Sequence, residues 1–294
     1  MVNNKVCCVV VTYNIGKKFY ECFDSVINQV EFVVIVDNGS DKETINVLKG
    51  LESQSNVKVI YNFENLGIAT ALNKGVKYAI KNKYEWILTM DNDSRATTNM
   101  VSSMLEWYKE LGNKNNVVSI FPEYIEKYSI KDKENCFSKL CNYKFQYISF
   151  DNTSGNLVKS SVFEKIGLFR EDFFIDSVDH DFCLRIKKNN YKLAKIKGVK
   201  LLHSLGNTKT INLLGKRVNC SNHSALRRYY ITRNRCIMRK LYKYDKEYIK
   251  YDRKTFLNEN IKILLFEKDK LNKIKMSLRG YKDYRRKRLG KFLN

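Results

Sequence analysis

Long apolar runs are missing from this chain of 294 residues. Uninterrupted ones such as 6–11 and 263–266 fall far short of the roughly 18 residues that a bilayer-spanning helix needs. No charged and apolar leader precedes Val6, so the protein is expected to stay in the cytoplasm. Glycine is absent where a dinucleotide fingerprint would need it. Asn38-Gly39-Ser40 has no second or third glycine after it, which argues against an NAD site. Metal-type cysteine clusters are lacking too. Cys136 and Cys141 are spaced C-x4-C, but no second pair or nearby histidine completes a zinc set. Cys7, Cys8 and Cys183 fall in apolar or helical patterns, where a thiol behaves as a small hydrophobe. No internal repeat or low-complexity tract is visible.

What is present is a succession of short apolar runs, each bounded by polar residues. Residues 6–11 end in Thr12-Tyr13-Asn14, and 32–36 end in Asp37-Asn38-Gly39-Ser40. Residues 57–61 lead to Glu64-Asn65-Leu66-Gly67, and 86–90 end in Asp91-Asn92-Asp93. Helical periodicity fills the gaps at about 17–30, 41–52 and 67–81. Continuous rather than alternating apolar runs suit strands buried on both faces, and the helices between them imply right-handed crossovers. The expected fold is α/β: a mainly parallel, Rossmann-like sheet flanked by helices. Ligands of such sheets sit beyond the carboxyl ends of the strands, where the four polar clusters would converge.

Asp91 and Asp93 are the most informative pair. Side chains at i and i+2 of an extended chain leave the same face, so both carboxylates can reach one hard cation that also holds a diphosphate. Read alone, Asp-Asn-Asp is also ordinary composition for a solvated loop, as Asp37 is for a turn.

The ordered set of motifs resembles the inverting family 2 glycosyltransferases with the GT-A fold. It comprises Val9-Val10-Val11-Thr12-Tyr13-Asn14, Val36-Asp37-Asn38-Gly39-Ser40, Asn65-Leu66-Gly67 with Ala71 and Asn73, and the D-x-D triplet 91–93. Ser154-Gly155-Asn156, Phe174-Ile175-Asp176-Ser177-Val178-Asp179, Phe182-Cys183-Leu184-Arg185 and His203 continue it, so the resemblance covers roughly residues 5–240. Leu205-Gly206-Asn207 and Tyr229-Tyr230-Ile231-Thr232-Arg233-Asn234 look most like bacterial rhamnosyltransferases of surface polysaccharide assembly.

That resemblance implies roles. Asp93 would ligate Mg²⁺ or Mn²⁺, Asp91 would touch metal or ribose, and His203 would complete the metal shell. Thr12, Tyr13, Asn14 and Asp37 would receive the nucleotide base and ribose, with Asn65, Gly67 and Asn73 at the ribose and diphosphate. Asp179 falls at the position of the general base. Val178 replaces the family's usual Glu, so Asp176 is the candidate second carboxylate. Ser154, Gly155 and Asn156 would line the acceptor side. Arg185 reads equally as an ion-pair partner or a phosphate contact.

Charge marks the other end of the chain. Residues 216–294 hold 25 Lys and Arg against 7 Asp and Glu, a balance of +18 out of a total of +23. Aromatic and aliphatic residues are interleaved with these cations. Such segments lie on anionic membranes, each cation near the surface adding about 1 kcal/mol. A solvated basic tail, or helices that pack as structure or form a homodimer, are the competing readings. No nucleic-acid module appears, so nucleic acid is not an expected partner.

The expectation is a GT-A domain over 1–215 and a basic helical extension over 216–294, peripheral at the inner face of the cell membrane. The leading activity is transfer of rhamnose from dTDP-rhamnose to a lipid-linked saccharide acceptor. Another nucleoside diphosphate sugar, a UDP-hexose or a galactofuranose donor, is the nearest alternative. A non-catalytic membrane adaptor is the reading from a different class. A nucleotidyltransferase would carry an early glycine-rich loop with a basic residue, which 14–18 does not offer.

Overall fold

The computed structural model describes residues 5–126, 145–203, 209–213 and 216–293. Cys136, Cys141 and Leu205-Gly206-Asn207 lie outside the described residues. The chain divides into two compact units, residues 1–170 with 179–204, and residues 171–178 with 205–294.

The first unit opens with the expected alternation: β1 (Val6–Thr12), α1 (Phe19–Val26), β2 (Phe32–Asp37), α2 (Lys42–Leu51), β3 (Val57–Tyr61), α3 (Ile68–Lys81) and β4 (Trp86–Asp91). These strands pair in parallel in the order β3, β2, β1, β4. Every residue of β1 is buried, as its unbroken apolar run requires. α3 approaches β1 closely because position 75 is glycine: a Cβ there would lie 2.3 Å from Val9 Cγ1.

The sheet becomes mixed beyond β4. The chain continues through β5 (Arg95–Ala96), α4 (Met100–Trp107), β6 (Val117–Glu126), β7 (Phe145–Ile148), β8 (Asn156–Lys159), α5 (Ser160–Ile166), α6 (Val178–Lys188) and β9 (Lys192–His203). β8 runs antiparallel between β4 and β6, β6 pairs in parallel with β9, and β5 and β7 pair antiparallel to β9. Most strands share one direction, so the fold is the expected α/β sheet flanked by helices. Cys7, Cys8, Cys22 and Cys183 are buried thiols.

The second unit holds the hairpin β10 (Lys209–Leu213) and β11 (Lys216–Cys220) and the helices α7 (Ala225–Leu241), α8 (Lys246–Phe266) and α9 (Lys270–Arg285). Ser224 and Asp245 cap α7 and α8 by accepting from Arg227 N and Tyr248 N. α9 crosses α7 at glycine, since a Cβ on Gly280 would sit 2.4 Å from Tyr229 O. Several charged side chains buried in this unit are paired with opposite charges. Glu267 accepts from Lys273 at 2.8 Å and from Arg228 at 3.3 Å. Asp252 accepts from Arg235 at 2.8 Å and also binds Arg239.

Burial, reinforced by the neighbouring Arg227, lowers the imidazole of His223 from 6.5 to about 4. Between those values the unfolded chain binds a proton at this position that the folded chain does not. Stability therefore falls as pH drops from about 6.5 to about 4. His223→Gln should flatten this part of the pH dependence of the thermal midpoint. An unchanged slope in the variant would refute the assignment.

Candidate functional site

The end of β4 delivers Asp91, and the chain turns at once: Ser94 N donates to Asp91 O at 3.1 Å. β5 then pairs antiparallel with β9, Arg95 opposite Leu202 and Ala96 opposite Leu201, which sets Ser94 level with His203. Carboxylate oxygens of Asp91 and Asp93 and a ring nitrogen of His203 thereby lie within 4.8 Å of one another, each residue partly exposed. The two aspartates meet because of the turn and not, as their spacing suggests, by alternation along one strand.

A polar network fixes the cluster from below. Ser94 Oγ lies 2.8 Å from His203 Nδ1, Ser154 Oγ donates to Ser94 Oγ at 2.7 Å, and Asp91 N donates to Ser154 Oγ at 3.0 Å. With Nδ1 engaged by Ser94, Nε2 is the ring nitrogen that a metal would take. Tyr124 Oη points to the carbonyls of Ser154 and Asn152, at 3.0 and 3.1 Å. Burial, then the nearby charges of Asp151, Asp91, Cys183 and Asp179, holds the Tyr124 phenol well above its ordinary range. The metal-type cluster and Asp179 are thus felt at one side chain.

At the ends of the first strands the picture is divided. Thr12 and Asp37 are buried neighbours, with Thr12 Oγ1 donating to Asp37 Oδ1 at 3.4 Å. Asp37 Oδ2 accepts from Gly39 N and Ser40 N at 3.1 and 3.2 Å, so this carboxylate also builds its own turn. Asn14, at φ 48°, bridges to the same turn, while the Tyr13 ring is exposed. Asn65 Oδ1 accepts from Gly67 N and from the buried Asn38, which in turn accepts from Asn62. Gly67 starts α3 at φ 89°, a conformation that favours glycine.

Asn73 and Ser154-Gly155-Asn156 lie inside the fold. Asn73 is buried and exchanges both amide atoms with the backbone of Phe169, Nδ2 to O and N to Oδ1, each at 2.9 Å. Ser154, Gly155 and Asn156 are packed beneath the cluster. Ser154 and Asn156 are 1% exposed, and Asn156 Oδ1 accepts from Ser119 Oγ at 2.6 Å. A Cβ on Gly155 would meet Pro122 and Leu201 at 2.9 and 3.0 Å. These three residues support the cluster from inside the sheet.

The acidic segment ahead of α6 contributes Asp179 in its first turn and Asp181 behind it. Asp181 is buried and binds Arg185 at 2.8 Å, and Arg185 also donates to the carbonyls of Ile166, Gly167 and Leu168. Arg185 is therefore structural, which decides between its two readings. Asp176 belongs to the second unit, where its two oxygens accept from the Arg227 guanidinium at 3.0 to 3.2 Å.

Residues 7–167, more than half of the chain, match Glycosyl transferase family 2. The chain belongs to that family. It is 29% identical over 249 residues, 79% of each chain, to the dTDP-rhamnosyl transferase RfbF of Shigella flexneri. The glycosyltransferase GlyG of Streptococcus pneumoniae is 24% identical over 201 residues, 61% of this chain and 65% of that protein. Among solved structures, S. aureus TarS 1-349 superposes with a TM-score of 0.53 at 14% identity, covering 95% of this chain and 71% of that one. The Pyrobaculum calidifontis mannosyltransferase PcManGT, in complex with GDP-Man and Mn²⁺, gives 0.55 at 15% identity over 78% and 61%. At these identities the superpositions show the fold alone.

This family 2 glycosyltransferase is an enzyme, which sets aside the adaptor reading. Its most unusual backbone lies just before α6. Phe174, Asp176 and Ser177 all have φ between 64° and 66°, a costly conformation for residues other than glycine. Within the second unit a buried pair on α7 holds them there. Asn234 Nδ2 donates to the carbonyls of Phe173, Ile175 and Asp176 at 3.0, 2.8 and 2.9 Å, and Arg233 donates to those of Asp172 and Phe173 at 3.2 and 3.0 Å. The sequence displays Arg233-Asn234 only as a motif; nothing local announces that it clamps a loop some 60 residues away. Asn234→Ala should lower stability by roughly 1–3 kcal/mol through the unpaired carbonyls, read as a lower thermal midpoint. An unchanged midpoint would remove the clamp.

Proposed function

We propose that this enzyme transfers a rhamnosyl unit from dTDP-rhamnose to a lipid-linked saccharide acceptor, with inversion at the anomeric carbon and with Mg²⁺ or Mn²⁺ bound. The observation that carries the donor is the identity with RfbF along 79% of both chains. The donor set of two carboxylates and one imidazole, its Nδ1 engaged by Ser94, fits such an ion. Asp91, Asp93 and His203 would hold it. When bound, such an ion would offset the negative charge that develops on the leaving diphosphate.

The chain's own residues do the rest. Thr12 and Asp37 receive the pyrimidine and ribose beside the exposed Tyr13 and the bridging Asn14, and Asn65 with Gly67 shapes the approach of the diphosphate. Asp179 takes the proton from the acceptor hydroxyl. That oxygen bonds to the anomeric carbon as the bond from this carbon to the diphosphate oxygen breaks. Direct displacement assisted by one carboxylate base gives inversion. Asp176, whose oxygens accept from Arg227, is the candidate second carboxylate. The lipid-linked acceptor puts the enzyme at the inner face of the cell membrane.

Recognition of a pyrimidine N3–H by Asp37 serves uracil as well as thymine, which keeps a UDP-hexose or galactofuranose donor as the second reading. Turnover of dTDP-rhamnose and not of UDP-sugars would support the first, and the reverse preference would replace it with the second. In either case Asp179→Asn keeps the shape but cannot accept the proton. Donor affinity should be retained while kcat falls by about 10²–10⁴-fold. Near-normal kcat in Asp179→Asn, with loss in Asp176→Asn, would transfer the role of base to Asp176.

A further inference from the structure

The acidic residues of the second unit are largely used up inside it. Asp252 serves Arg235 and Arg239, Glu267 serves Arg228 and Lys273, and Asp283 accepts from Tyr229 and Arg279. The basic surplus is therefore carried outward, where large apolar side chains accompany it. On α8, Leu257, Ile261, Leu264 and Leu265 are 60, 44, 54 and 61% exposed. Their spacing of i, i+4, i+7 and i+8 puts them on one helix face, and the exposed Lys250 and Lys254 stand on that face in the preceding turns. The opposite face, with Tyr248, Asp252 and Ile263, is buried. After three intervening residues α9 repeats the pattern. Leu271, Ile274, Leu278 and Tyr281 are 85, 40, 65 and 48% exposed, with the exposed Lys275 and Lys282 beside them.

Soluble proteins rarely leave such rows of large apolar side chains in water unless something covers them. The geometry points to an anionic lipid surface: we propose that the outward faces of α8 and α9 lie in the plane of a bilayer, leucines among the acyl chains and lysines against lipid phosphates. Charge selects this occupant. A second copy of the chain would bring the same cationic surplus to the same face and be repelled, whereas anionic headgroups complement it. Nucleic acid would engage the lysines and leave the leucines in water. Among the described residues no helix is long and apolar enough to cross a membrane, so these helices lie on the surface. The inference deepens the reading above and rests on it for the lipid-linked acceptor that this surface would bring within reach.

The test is co-sedimentation of the full-length protein with vesicles of phosphatidylcholine, with and without phosphatidylglycerol. The wild type should bind the mixed vesicles and be released by salt. Substituting Leu264, Leu265 and Leu278 together by Gln should weaken binding at least tenfold. Substituting Lys250, Lys254, Lys275 and Lys282 by Gln should abolish the preference for phosphatidylglycerol. All these positions are exposed, so the thermal midpoint and donor turnover without vesicles should stay at wild-type values. Wild-type protein left in the supernatant, or a leucine variant that sediments like the wild type, would overturn the proposal. So would a wild-type dimer in light scattering that the leucine variant converts to monomer. Vesicle binding by a protein that turns over no nucleotide sugar would sink the catalytic reading and leave the surface assignment standing.

Discussion

A two-residue strand decides whether the cluster at the end of β4 exists. β5 pairs with β9 through Arg95 and Ala96 alone, and that register brings the turn after Asp91 level with His203. Without it, two carboxylates and an imidazole more than a hundred residues apart in sequence would have no reason to converge. The pairing is supported from below. Ala96 N donates to Ser25 Oγ and Thr97 Oγ1 to Lys200 O, so α1 and β9 both anchor the short strand. Ser154 then ties Asp91 and Ser94 to each other through the antiparallel insertion of β8. The mixed half of the sheet is thus the part that brings these three side chains together.

The strong basic balance of the chain has two components that differ physically. Arg228, Arg235 and Lys273 are interior groups whose partners are buried carboxylates, and each would be costly to leave alone. The cations on the outward faces of α8 and α9 are solvated and accompanied by leucines. Net charge alone does not separate these two populations; burial does.

The regular half of the fold was legible because apolar runs and helical period are local signals. Residues 57–61 form a strand with the bounds of their apolar run, and the other segments marked out by apolar runs and helical period differ by a few residues. The candidate cluster was legible through motifs, although the reason offered for Asp91 and Asp93 was an extended strand and the structure uses a turn. What stayed hidden is long-range. The pairing of Asn73 with Phe169 and the placement of the Ser154 hydroxyl under Asp91 have no local signature. Neither the clamp of Asn234 on Phe173–Asp176 nor the pairing of Asp176 with Arg227 has any local sequence signature.

The central claim is that Asp91, Asp93 and His203 share one divalent cation with the diphosphate of the donor. Calorimetric binding of dTDP to the wild type and to Asp93→Ala, each with Mn²⁺ and with EDTA, tests it most directly. The account predicts that the substitution weakens binding strongly in Mn²⁺ and little in EDTA, because the carboxylate acts through the ion. Equal loss under both conditions would take Asp93 out of the coordination shell and contradict the account.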